Sequence, residues 1–122
     1  MSVRSLDHAT IRTDDLATTR AFYEQSMGLT SGARPPFDFP GAWLYGGDGT
    51  PVIHLIGIEK NGVSGSGAVD HIAFSCDGFE SLRARLDRAE IPYRERVVPG
   101  LGLRQLFLTD PQGIKLELNF PA

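Results

Sequence analysis

The sequence has little of what marks several common classes of protein. It contains one cysteine, Cys76, so no disulfide can form within the chain, as is typical of a reducing compartment. It has no basic excess, because 12 lysines and arginines face 15 aspartates and glutamates, whereas nucleic-acid binding normally needs a basic patch. No run approaches the roughly 20 apolar residues of a membrane span, and the first residues lack the apolar segment of a secretory signal. We therefore expect a cytoplasmic domain with a small-molecule substrate, no nucleic-acid partner and no membrane contact.

Histidine is also scarce, and all three histidines belong to an internal repeat. The dipeptide Asp70-His71 lies 63 residues after Asp7-His8, and the same step from His54 leads to Glu117. Four potential metal ligands therefore occupy two equivalent places in two halves of the chain. A repeat of this kind is usually one supersecondary unit that needs a partner to bury its apolar face.

Both halves show the same predicted order of secondary structure. In the first half, a strand over residues 6–12 precedes a helix from about Leu16 to Met27, with Asp14-Asp15 as the candidate N-cap. In the second half, a strand over residues 69–75 precedes a helix that should begin at a capping box, Asp77-x-x-Glu80. The remaining strands are predicted at about 29–33, 42–46, 51–58, 93–98, 104–109 and 114–120. The sequence thus predicts a single α+β domain over residues 1–122, with βαβββ modules at about 5–58 and 69–120 and a flexible linker at about 59–68.

The motifs of both halves resemble those of the vicinal oxygen chelate superfamily, which includes glyoxalases, extradiol dioxygenases, fosfomycin-resistance proteins and bleomycin-binding proteins. The resemblance runs from Leu6-Asp7-His8 through Ala21-Phe22-Tyr23 and Met27-Gly28-Leu29 to Asp110-Pro111-x-Gly113 and Leu116-Glu117-Leu118. It implies that two modules form an open eight-stranded barrel around a divalent metal, paired across a homodimer as in most single-domain relatives. It also implies the metal ligands, namely His8, His54, His71 and Glu117.

The chemistry of this ligand set indicates the type of reaction. Imidazole and carboxylate suit Zn, Fe, Ni, Co or Mn, and four ligands on an octahedral ion leave two adjacent positions for two neighbouring substrate oxygens. The leading hypothesis is an isomerase or lyase acting on a small α-hydroxycarbonyl or thiohemiacetal-like substrate. Glu117 would be the catalytic base, loosening from the metal as the only carboxylate ligand. Glyoxalase I commonly has a carboxylate at the place of His54, so this histidine is either a ligand or a separate acid-base group.

Two alternative functions remain open. An Fe(II) extradiol ring-cleaving dioxygenase would need only His8, His71 and Glu117 as ligands, which leaves His54 free. A non-catalytic protein that binds a small molecule such as an antibiotic is the second alternative, although the bleomycin-binding relatives generally lack this ligand set. Metal content separates these cases.

Five further residues are candidates for binding the substrate. The spacing His8-x-x-x-Arg12 resembles the start of bacterial glyoxalase I, in which the matching arginine binds the glutathione carboxylate. Arg104 is a second candidate for contact with an anionic substrate. The Pro-stiffened loop at residues 34–43 carries large apolar side chains that predict either a pocket wall or a subunit interface, namely Phe37, Phe39 and Trp43.

The two aspartates of the repeat are expected to have structural roles. Asp7 and Asp70 directly precede His8 and His71, and adjacent residues on a strand point to opposite faces of the sheet. Neither aspartate is therefore expected beside its histidine.

Overall fold

The computed structural model describes residues 2–60 and 64–121. Residues 61–63, which belong to the predicted linker at about 59–68, lie outside the described residues. The chain divides into two compact units, Met1–Glu24 with Gly28–Asn61 and Gln25–Met27 with Gly62–Ala122. In the described residues, no helix has the length and apolar character needed to cross a membrane.

Each unit contains one four-stranded sheet and has the predicted βαβββ order. The first unit has β1 (Ala9–Thr13), all but the last three residues of α1 (Leu16–Met27), β2 (Thr30–Gly32), β3 (Gly41–Tyr45) and β4 (Pro51–Gly57), with sheet order β1-β4-β3-β2. The second has β5 (Ile72–Ser75), α2 (Phe79–Arg88), β6 (Arg94–Val98), β7 (Leu103–Thr109) and β8 (Lys115–Phe120), with order β5-β8-β7-β6. In both sheets the first and last strands of the module pair in parallel and the other pairs are antiparallel. The predicted α+β class is confirmed.

The 63-residue repeat extends to the pairing of individual residues. In the parallel pair of the first sheet, Thr10 lies opposite His54, and in that of the second sheet Ala73 lies opposite Glu117. His8 and His71 each stand two residues before these partners, immediately ahead of the strand. Both modules therefore bring their two candidate ligands to the same place on the sheet.

The first sheet has a buried face and an open face. Ile11, Ile53 and Leu55 are almost fully buried on one side, and this side contacts α1 through a buried hydrogen bond of 2.8 Å between the hydroxyls of Thr13 and Thr19. Since side chains alternate along a strand, His54 lies on the opposite, open side.

The second sheet is arranged in the same way. Leu116, Leu118 and Phe120 of β8 are buried, and Phe79 of α2 packs edge-on against Phe120 with ring centroids 5.2 Å apart. Glu117 alternates with these core residues and therefore lies on the open side of the sheet.

The predicted capping box at the start of α2 is wrong. The N-cap is Gly78, which has a left-handed backbone with φ of 72°, and no described side chain forms a capping hydrogen bond. Glu80 instead lies 3.7 Å from Nη1 of Arg83 and 3.7 Å from Nη2 of Arg104. The helix begins one residue later than the capping box requires, and its buried residues include Leu86.

Candidate metal centre

In the first unit, His8 and His54 lie side by side. Their rings are stacked, with centroids 3.7 Å apart and an angle of 12° between the planes. The strand register explains this contact, because Thr10 is the direct neighbour of His54 and His8 precedes it by two residues. Two imidazoles are therefore available as neighbouring ligands on the open side of the first sheet.

The second face of the His54 ring is covered by Trp43. The two residues are opposite each other on β4 and β3, and their ring centroids are 4.1 Å apart. Burial lowers the pKa of His54, and the positive charge that His8 can carry lowers it further. The ring is therefore neutral near pH 7, which is the form that binds a metal.

One nitrogen of His54 lacks the partner that a buried polar atom normally has. Nε2 is buried and no described residue forms a hydrogen bond with it. Buried polar atoms without a partner are rare in proteins and call for an explanation such as an ion. A metal ligand role explains both this atom and the neutral ring, so the donor set of the first unit fits a divalent metal.

In the second unit, His71 and Glu117 face each other. Nε2 of His71 lies 3.5 Å from Oε1 of Glu117, and the Glu117 side chain is 16% exposed. Two donor atoms that are each about 2.1 Å from one ion are separated by about 3.0 Å at a right angle and about 3.4 Å at a tetrahedral angle. The observed separation therefore also fits two ligands of a common ion.

A chain of amides holds the Glu117 carboxylate. Nδ2 of Asn119 donates to Oε2 of Glu117 at 2.9 Å, and Nε2 of Gln105 donates to Oδ1 of Asn119 at 3.0 Å. Neither residue was predicted from the sequence in this role. Strand alternation puts Asn119 on the Glu117 side, but only the pairing of β7 with β8 puts Gln105 beside Asn119.

The prediction that Asp7 and Asp70 point away from their histidines is wrong. Oδ1 of Asp7 lies 2.7 Å from Nδ1 of His8, and Oδ2 of Asp70 lies 2.8 Å from Nδ1 of His71. Alternation does not apply here, because both dipeptides precede the first residue of β1 or β5. A carboxylate that accepts the Nδ1 proton orients the ring and leaves Nε2 for a metal, as carboxylates commonly do for histidine ligands.

The predicted aromatic loop residues form a row that begins at His54. Trp43 stacks on His54, Phe37 lies 6.5 Å from Trp43, and Phe37 stacks on Phe39 at 5.0 Å. The guanidinium of Arg34 lies 5.2 Å from the centres of both phenylalanine rings. Phe37 and Phe39 remain exposed, which leaves ring surface for a ligand.

The two arginines predicted to bind substrate differ in position. Arg12 is exposed and alternates with Ile11, so it lies on the same side of the first sheet as His54. Arg104 lies on the α2 side of the second sheet, with its guanidinium 3.5 Å from the centre of the Phe79 ring. The structure thus does not bring Arg104 to the side of the sheet that carries Glu117.

The open side of the second sheet lines a cavity of about 750 Å³. His71 and Glu117 contribute to its wall, as do Arg94 and Arg96 of β6. In the part of the chain that the structure describes, no group of three or more His, Cys, Asp or Glu side chains is placed to hold a metal by itself. Each unit presents two of the four candidate ligands.

The comparisons with known proteins agree with this fold. Residues 5–118 match the model of the Glyoxalase/Bleomycin resistance protein/Dioxygenase superfamily. The chain belongs to this superfamily. The resemblance drawn from the sequence motifs is therefore confirmed, while no curated protein matches the sequence.

Solved structures of this superfamily share the fold at low identity. A glyoxylase/bleomycin resistance protein/dioxygenase domain from Frankia sp. EAN1pec is 20% identical with a TM-score of 0.81, and the match covers 99% of this chain and 100% of that one. Lactoylglutathione lyase from Agrobacterium tumefaciens is 20% identical with a TM-score of 0.67, covering 98% and 96%. A genomically encoded fosfomycin resistance protein from Listeria monocytogenes is 17% identical with a TM-score of 0.73, covering 99% and 96%.

Proposed function

We propose that this superfamily member is a divalent-metal-dependent enzyme that catalyses an isomerase or lyase reaction. Its substrate is a small molecule that chelates the metal through two adjacent oxygens. The metal, which is Zn, Fe, Ni, Co or Mn, is bound by His8, His54, His71 and Glu117. The observation that carries the proposal is the buried Nε2 of His54, which forms no hydrogen bond with any described residue. The ring that carries this atom stacks on a second histidine, His8.

The side chains around the ligands support acid-base chemistry at Glu117. A bound divalent metal would act as a Lewis acid on the substrate oxygens, and more strongly with one anionic ligand than with two. Asn119 holds Oε2 of Glu117, so Oε1, the candidate ligand atom that faces His71, would have to loosen from the metal to accept a proton from the substrate. Trp43 covers His54 and limits the access of water to that ligand.

The proposal includes a homodimer with two metal sites. Each sheet leaves its outer strands unpaired, and each unit has only two of the four ligands. A complete site therefore requires one first module and one second module, and symmetric dimers are the commonest way for a chain to supply such a pair. Light scattering should give twice the mass of the chain, whereas a monomer at micromolar concentration would contradict the dimer.

Metal analysis of protein purified without added metal tests the ligand set. We expect alanine variants of His8, His71 and Glu117 to lose the metal most completely, with that of His54 following. Glu59→Ala removes an exposed carboxylate beyond the end of β4 and serves as the matched control. Full metal content in the His71 or Glu117 variant would refute the site.

The dioxygenase alternative is favoured by one feature, the aromatic row next to His54, which suits a planar ring such as a catechol. In this case His54 would stand off the metal as an acid-base group, and activity would require Fe(II) or Mn(II) and consume oxygen. The isomerase or lyase should work without oxygen and after exchange to Co, Ni or Zn. Tight binding of a small molecule without turnover would instead identify a binding protein.

A further inference from the structure

Two arginines of β6 share the open side of the second sheet with Glu117. Arg94 lies opposite Phe107, and Phe107 lies opposite Glu117 on the next strand. Arg96 lies opposite Gln105 in the neighbouring row. Because residues directly opposite each other on paired strands point to the same side, both arginines face the cavity that Glu117 lines.

These arginines differ from those on the α2 side of the sheet in lacking an acidic partner. Glu95 stands between them in sequence, but it points to the other side and pairs with Arg83 at 3.1 Å. In residues 2–60 and 64–121, no ion pair joins Arg94 or Arg96 to a carboxylate. The guanidinium of Arg94 lies 5.0 Å from the centre of the Phe107 ring, beside the floor of the cavity.

The charges of the cavity are divided across the sheet. Asp70 and Glu117 lie at the β5 and β8 side, where Lys115, the other cation of the lining, is 3.7 Å from Asp70. The two unpaired arginines lie at the β6 edge. Two strand spacings separate Glu117 from Arg94, a distance of about 9.5 Å.

We propose that Arg94 and Arg96 bind an anionic group at the far end of a substrate whose other end chelates the metal beside Glu117, two strand spacings or about 9.5 Å away along the sheet, which makes the substrate an elongated organic acid. The proposal rests on the proposed metal-dependent function for the chelated end. Two adjacent guanidinium groups match a carboxylate or phosphate, which arginine binds through paired hydrogen bonds. If the two arginines served only to keep the edge strand β6 from pairing with another strand, they would need no anionic ligand.

Two hydroxamates of equal length test the proposal on the zinc-loaded protein. Both chelate a metal through two adjacent oxygens, and suberic acid monohydroxamate ends in a carboxylate whereas octanohydroxamic acid ends in a methyl group. Six methylene groups in the first compound span about two strand spacings. We expect the acid to bind at least tenfold more tightly in calorimetry. Arg94→Gln/Arg96→Gln should remove this advantage and leave the affinity for octanohydroxamic acid unchanged.

The matched control is Arg85→Gln/Arg88→Gln, which removes the same charge from the exposed side of α2. This variant should keep the tenfold preference. Equal affinities for the two hydroxamates in the unaltered protein would overturn the proposal, as would a preference that survives in the Arg94 and Arg96 variant.

A measurement on metal-free protein separates this proposal from the metal site. If neither hydroxamate binds in a zinc-dependent way, the proposed metal-dependent function fails. The arginine site is then tested on its own, by NMR of the arginine Nε–H groups while suberate is added to the metal-free protein. The signals of Arg94 and Arg96 should shift while those of Arg85 and Arg88 do not. Absence of a selective shift would show that the two arginines only protect the edge of the sheet.

Discussion

Replacing Asn119 by leucine should weaken zinc binding about tenfold. The Asn119 amide donates to Oε2 of Glu117 at 2.9 Å, while Oε1 of the same carboxylate lies 3.5 Å from Nε2 of His71. Leucine has a similar size but no donor. The variant therefore keeps the charge of Glu117 and loses the contact that orients it.

The magnitude follows from this geometry. A hydrogen bond to a charged group contributes about 1.5–3 kcal/mol, and Glu117 is only 16% exposed, so water replaces little of it. The hydrogen bond is present with and without the metal. Only the part of its free energy that comes from orienting the carboxylate therefore affects zinc binding. If that part is about half, it amounts to roughly 0.8–1.5 kcal/mol, whose upper value corresponds to a factor of about ten. This is the lower end of the roughly 10- to 100-fold loss that follows removal of a residue orienting a ligand.

Competition with a chromophoric chelator at constant pH measures the zinc affinity. Gln105→Leu should have a smaller effect, because Gln105 acts through Asn119. Thr18→Val is the matched control, since it removes a 2.8 Å hydrogen bond to the Asp15 carboxylate at the start of α1. Unchanged affinity in Asn119→Leu, or an equal loss in Thr18→Val, would refute the reasoning.

Three further predictions concern the scaffold. A Cβ at Gly41 would clash with the main-chain oxygen of Leu55 in β4, so Gly41→Ala should lower the free energy of unfolding in urea by about 1–3 kcal/mol. Gly47→Ala, where a Cβ would have no atom within 4 Å, should not, and equal stabilities of the two variants would contradict this. Burial raises the pKa of Cys76 to about 11 from 9.0. Its alkylation by iodoacetamide at pH 8 should therefore be roughly 100-fold slower than that of free cysteine, and should accelerate as the pH rises towards 11. A rate equal to that of free cysteine would argue against the burial. Leu118 is fully buried, so Leu118→Ala should lower the free energy of unfolding by about 2–5 kcal/mol, and a loss below 1 kcal/mol would contradict its place in the core.

Local signals in the sequence predicted much of the fold. The bounds of α1 agree with the prediction because Asp15 accepts from the main-chain N–H of Thr18 at 3.1 Å and Gly28 ends the helix in the left-handed conformation. These interactions join residues close in sequence, so residue type alone indicates them. The predicted start of α2 was wrong because the N-cap is Gly78, and among the described residues no side chain caps that helix.

The sequence by itself determined the repeat and with it the four candidate ligands, because equivalent residues of two similar modules fall at equivalent places. Only the tertiary structure decided which atoms meet. The orphaned Nε2 of His54, the contact of Gln105 with Asn119, and the position of Arg94 rather than Arg104 on the Glu117 side all depend on the register between strands. Register is a non-local property, since one residue of slip moves every side chain to the other face, and strands far apart in the sequence set it together.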